Sequence, residues 1–126
     1  SFNHEHVADV LADVVQGGAE AQGLDFVPAG STTFKREDVE RGFEPDASFY
    51  LQHAAAVRGH TTIDLDVDPP PDLIIEIDLS HPSLDTFPIY AAFGVPEVWR
   101  YAGQQVYISQ ALPPPAVEPV SSLRVY

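Results

Sequence analysis

The chain has 126 residues, 44% of them hydrophobic and 10% aromatic, enough for one packed domain and too few for two independent cores. Nineteen acidic residues against six basic ones give a formal net charge of −13. Phosphate backbones are normally held by clustered Lys and Arg, so composition disfavours nucleic acid as a partner. The absence of cysteine excludes disulfides and thiolate metal sites.

No apolar stretch approaches the length that spans a bilayer, and no signal-type segment opens the chain, so a cytoplasmic protein without membrane contact is expected. The missing initiator Met and the abrupt "SFNHEH" predict a single domain over residues 1–126 that lacks upstream residues.

From Asn3, a candidate N-cap, Val7, Val10, Leu11, Val14 and Val15 fall at helical spacing, and Gly17-Gly18 or Gly23 would end that helix. "LDFVPAGSTTF" has the content of a strand or two interrupted at Pro28 and Gly30, and "KREDVERG" reads as a charged turn. "EPDASFYLQ" alternates, with Asp46, Ser48 and Tyr50 on one side and Ala47, Phe49 and Leu51 on the other, which is strand periodicity. Residues 52–71 read as an exposed loop ending in a Pro run.

In the next strand Leu73, Ile75, Ile77 and Leu79 share one face, and Asp72, Ile74, Glu76 and Asp78 the other. Its first half is apolar on both faces, so it is expected to be a central strand. "SLDTFPIYAAFG" predicts a helix capped by Ser83 and stopped by Gly94, with Pro88 in the first turn or so. "PEVWRYAGQQVYISQ" predicts a hairpin and "SSLRVY" a terminal strand. The fold class expected is α/β (α+β), a mixed β-sheet flanked by helices.

Three groups of residues invite a chemical reading. Glu76 and Asp78 leave the same face about 7 Å apart along their strand. Should the strand that begins at Asp46 lie beside them, three carboxylates would converge without a local cation, which suits a hard divalent ion. The competing reading leaves these acids facing water at strand ends. Asp64, Asp66 and Asp68 have the spacing that opens a calcium loop, but Pro69 and Ile75 occupy the positions that need Gly and Glu, so a solvated acidic loop is expected. His4 and His6 are two apart on a helix and do not face one another, leaving one of them to line a pocket. Ser80-His81 lacks the glycines of a nucleophile elbow, and "AGSTTF" lacks phosphate-loop spacing.

"GSTTFKREDVERGFEPDASFY" followed by "PPPDLIIEIDLSHPSLDTFPIYAAFGVPEVWRY" closely resembles the Uma-two family, a domain of unknown function within the PD-(D/E)XK, or restriction-endonuclease-like, superfamily. The likeness runs from "NHEHV" to "WRYAGQQVYI". It implies a restriction-endonuclease-like fold and metal-dependent phosphodiester hydrolysis with Mg²⁺ or Mn²⁺. Pro45-Asp46 matches the "PD", Glu76 matches the second acid, and Ile77 would offer a backbone carbonyl to the metal. Glu5, beside His4, is the candidate for the helical acid that often completes such sites.

The departures fall on one residue type. The plain motif places Lys two residues after Glu76, where this chain has Asp78. Many relatives carry it on the following helix as "SLDKFPIY", where this chain has Thr86. Lys35, the single lysine, precedes the "PD" strand. Loss of a water-activating group costs roughly a hundredfold to ten-thousandfold in rate. Two functions therefore stand side by side: a metal-dependent endonuclease of reduced or lost activity, and a degenerate binding or assembly module on the same fold. A homodimer is expected, from the resemblance and from the apolar hairpin at Val98 to Ile108, which could offer a strand edge to a second copy.

Overall fold

Helix α1 (Phe2–Ala21) is held to the sheet by one row of side chains at i, i+4 spacing: Leu11, Val15 and Ala19 are buried, and Val7, Ala8 and Ala12 partly so. The computed structural model describes residues 2–30, 32–36, 39–79 and 87–111. Val10 and Val14, expected on the buried face, are 47% and 53% exposed. Each lies about 100° round the helix from its buried neighbour, off the contact row. The helix starts at Phe2, so Asn3 lies inside the first turn, and it runs through Gly17 and Gly18. It closes at Gly23, whose φ of +69° lets Leu24 N–H reach the Ala19 carbonyl at 2.9 Å and Gly23 N–H the Glu20 carbonyl at 3.1 Å.

The expected charged turn is built largely into a hairpin. Strands β2 (Phe34–Arg36) and β3 (Val39–Phe43) pair antiparallel, Phe34 with Phe43 and Arg36 with Val39, with a register irregularity between Phe34 and Arg36. Phe34 and Phe43 stack at 5.0 Å and are buried, and they anchor a ribbon whose remaining residues need not be apolar. That is why a charged sequence hides a strand pair.

Strands β1 (Val27–Pro28), β4 (Ala47–Tyr50), β5 (Leu73–Asp78), β6 (Glu97–Ala102) and β7 (Gln105–Gln110) form the main sheet in the order β1-β4-β5-β6-β7. Neighbours are antiparallel except β5 and β6, which run parallel. A parallel neighbour requires a crossover, and helix α3 (Phe87–Phe93) lies on that connection. Pro88 is the second residue of α3, where a missing N–H is tolerated. Helix α2 (Ala54–Val57) is a single turn inside the stretch expected to be loop, anchored by buried Ala54 and Val57.

As the alternation implies, β5 is covered on both faces. Leu73, Ile75 and Ile77 pack with Leu11 and Val15 of α1 and with Ala47 and Phe49. On the other side Ile74 packs with Phe43, Tyr50, Tyr90, Phe93 and Val98. The result is the mixed sheet flanked by helices, consistent with the restriction-endonuclease-like arrangement. No helix among the described residues is long and apolar enough to cross a membrane. Ser83, Thr86 and the expected strand over 121–126 lie outside the described residues.

Candidate functional site

Two strands carry the central pair of acids. The β4–β5 register pairs Ala47 with Ile75 and Ser48 with Ile74, and one further step along it sets Asp46 opposite Glu76. Opposed residues in such a ladder are about 4.5–5.5 Å apart at Cα. Ala47 and Ile75 belong to the α1 face of the sheet, so alternation sends Glu76 to the α3 face, while Asp46 sits one residue before β4.

Asp46 is fixed from both oxygens. Its Oδ2 accepts the Ile77 N–H at 2.7 Å, and its Oδ1 lies 3.2 Å from His4 Nε2 at the start of α1. Pro45 just before it is fully buried and pins the approach to β4. Glu76 accepts a hydrogen bond on Oε1 from the Tyr90 hydroxyl of α3. Burial pushes the Glu76 carboxyl up to about 6, and the Asp46 carboxylate adds to the rise. The Tyr90 hydroxyl, a main-chain hydrogen bond from Asp46 and the His4 ring act in the opposite direction. Two carboxylates are thus held face to face in a half-buried place that resists their joint ionisation.

The third acid does not join them. Asp78 Oδ2 accepts a hydrogen bond from Arg100 Nη2 at 3.2 Å, and Asp78 is nearly buried. Among the described residues no three His, Cys, Asp or Glu side chains gather so as to hold a metal. The expected convergence of Asp46, Glu76 and Asp78 is therefore corrected to a facing pair plus an ion pair. Arg100 escaped the sequence reading because it lies 22 positions from Asp78. The parallel β5–β6 register brings it in, pairing Arg100 with Glu76.

Of the α1 candidates, His4 reaches Asp46, whereas Glu5 and His6 are exposed. Adjacent helical residues point about 100° apart, so the helix can aim one of the three at the sheet. His6 stacks on Phe2 with ring centroids 6.2 Å apart. Ile77 enters through its N–H on Asp46. Tyr90, which the sequence showed only as a helix-face residue, is the contact that no motif signalled.

The acidic loop, expected to be solvated, leaves Asp64 and Asp66 exposed, but Asp68 is nearly buried and lies 3.4 Å from His60 Nδ1. Asp64 Oδ1 accepts the Asp66 N–H and Asp68 Oδ2 the Asp64 N–H, both at 2.9 Å. A cleft of about 420 Å³ opens at the opposite end of β5, lined by His53, Asp72, Leu73, Glu97 and Gln110 among others, and neither Asp46 nor Glu76 borders it. Buried Asp72 there accepts the N–H groups of Leu51 and His53 at 2.7 and 2.9 Å and contacts His53 Nδ1 at 2.5 Å. That arrangement ties β5 to the turn after β4.

A family model, Uma2, described as "Putative restriction endonuclease", matches residues 1–120. No curated protein matches the chain.

Proposed function

The chain belongs to the Uma2 family, and from that premise we propose that it is a metal-dependent endonuclease, hydrolysing phosphodiesters with Mg²⁺ or Mn²⁺ held by Asp46, Glu76 and the Ile77 carbonyl. The observation that carries this reading is the facing pair, Asp46 against Glu76, with Glu76 pushed up to about 6. A divalent cation relieves that repulsion. The donor set suits Mg²⁺ or Mn²⁺, since Mg²⁺ keeps several waters and takes one or two carboxylates. It does not suit Zn²⁺, which asks for three or four protein ligands including nitrogen or sulfur.

Bound there, the ion would supply Lewis acidity toward the phosphate and a more acidic water. The chain's own groups prepare the place. The Ile77 N–H and the His4 ring fix the Asp46 carboxylate, so it loses little freedom on binding. The Tyr90 hydroxyl holds Glu76 by Oε1, and Glu76 gives up its proton more readily once a cation stands beside it.

A second reading, a degenerate module on the same fold, is favoured by the lysine count. The single lysine, Lys35, lies on β2, and neither Asp78 nor Thr86 supplies the missing cation. Calorimetry with Mn²⁺ on the wild type and on Asp46→Ala/Glu76→Ala, with cleavage assays in Mn²⁺, tests both. The nuclease reading expects binding and cleavage that the double variant loses. Equal, negligible binding in both proteins refutes it, and binding without cleavage selects the module.

Assembly as a homodimer belongs to the same proposal. Strand β7 is the last strand of the described sheet, and Val106, Tyr107 and Ile108 on it are about half exposed. Sedimentation of wild type against Ile108→Lys tests this, with a monomeric wild type as the refuting result.

A further inference from the structure

The sheet places Arg100 on the strand next to Glu76. In the parallel β5–β6 register Arg100 pairs directly with Glu76, and neighbouring strands lie about 4.8 Å apart. The two side chains leave the same face. Val98 packs with Ile74 and Tyr90, while Trp99 between them packs on the α1 side, so alternation turns Arg100 toward Glu76 and Asp78.

The guanidinium is anchored on one side. Asp78 Oδ2 takes a hydrogen bond from Nη2, while Nε is buried and has no partner among the described residues. The Arg100 side chain remains about one third exposed, against a tenth for Asp78. An ion pair with one partner nearly buried adds little to stability, because desolvation offsets the attraction, and a buried N–H without a partner works against it. A pair kept only for folding would be better built from apolar residues. Arginine offers five donors in a fixed fork that suits phosphate, and Asp78 holds that fork by one of them.

We infer that Arg100 is the phosphate-binding cation of this site and that Asp78 is its positioning residue. The inference rests on the phosphodiester reading above. It also gives Asp78, at the position of an expected lysine, a role of its own: it carries no charge to the phosphate but fixes a neighbouring strand's charge there. Arg100 binds the anion through N–H donors and, always protonated, cannot accept a proton from a water. The arrangement therefore supplies binding and charge compensation, not base catalysis.

The test separates phosphate binding from metal binding and from folding. Binding of a short fluorescein-labelled DNA duplex is followed by anisotropy at low salt with Ca²⁺ present, over a salt series, for wild type, Arg100→Gln, Arg100→Lys and Asp78→Asn. Mn²⁺ calorimetry and thermal unfolding are run on each. A phosphate contact predicts that Arg100→Gln weakens DNA binding about tenfold or more and lowers the slope of log K against log salt by about one. Arg100→Lys should keep that slope, and Asp78→Asn should weaken binding with the slope intact. Mn²⁺ affinity in Arg100→Gln should stay the same or tighten, because a nearby positive charge is gone. A purely structural pair would shift unfolding and leave the salt slope alone.

If Arg100→Gln binds DNA with wild-type affinity and slope, or if wild type binds Mn²⁺ but no DNA, the inference is overturned and the acid-pair reading survives. If Mn²⁺ fails to bind while Arg100→Gln still loses DNA, the inference stands and the metal reading falls. Failure of both bindings in wild type removes both.

Discussion

Replacing Glu76 by Gln measures how strongly the fold resists a second carboxylate beside Asp46. The Glu76 carboxyl is raised from 4.5 to about 6, with burial as the first cause. Each pH unit of displacement corresponds to about 1.4 kcal/mol, so the ionised side chain costs the folded state at most about 2 kcal/mol. Between the two values the folded chain binds the proton and the unfolded chain has released it, so stability falls as pH rises through that window and is flat above it. Gln keeps an oxygen for the Tyr90 hydroxyl and cannot titrate. In urea unfolding with a chelator present, variant and wild type should be close in stability near pH 4. The variant should then gain by up to about 2 kcal/mol near pH 8. Taking the difference between the two proteins cancels the other titrating groups. A difference that does not change with pH, or a wild type that gains on the variant as pH rises, would refute the reasoning. Saturating Mn²⁺ should reverse the order at pH 8, since the wild type would bind the ion that the variant binds less well.

Tyr90→Phe removes a hydrogen bond that favours the charged form of Glu76, so the Glu76 titration followed by carboxyl NMR should move above its wild-type value; a downward move contradicts the assignment. Asp72→Ala strips partners from the Leu51 and His53 N–H groups, and calorimetric unfolding should show a loss of about 2–4 kcal/mol, with Mn²⁺ affinity at Asp46 unchanged because Asp72 lies at the other end of β5. Gly42→Ala would drive a methyl group into the Phe34 carbonyl and the Lys35 side chain, and a loss of about 1–3 kcal/mol is expected in urea titrations; a neutral result would mean that the β2–β3 ribbon shifts freely.

Much of the architecture was legible because period and composition agree. The alternation assigns Ala47, Phe49, Leu51, Leu73, Ile75 and Ile77 to one observed face and Tyr50 and Ile74 to the other, and a strand apolar on both faces turned out to be central. Val10 and Val14 were misassigned because valine at helical spacing says nothing of how wide the contact row is. The β2–β3 ribbon was hidden because two aromatic anchors, Phe34 and Phe43, suffice to hold a charged hairpin. Within the site, Asp46 and Glu76 could be paired from their motifs. His4 was in reach as a pocket candidate, whereas the Tyr90 contact with Glu76 and the Arg100 pair with Asp78 come from α3 and β6, and only the tertiary register brings them in.

The net charge of −13 then bears on phosphate binding less than composition alone implies. Charges farther away than about 10 Å are largely screened at 0.1 M salt, so acids beyond that range count for little beside those at the site. Asp78 is paired with Arg100, so locally Asp46 and an ionised Glu76 leave a formal balance of −2. One divalent ion cancels it. A phosphodiester would then meet a neutral place with a cation at its centre and a guanidinium at its edge, whereas without the ion it would meet net repulsion at the same spot. If the proposed site binds both, phosphate affinity and metal occupancy are coupled, and either ligand should tighten the other by the same factor.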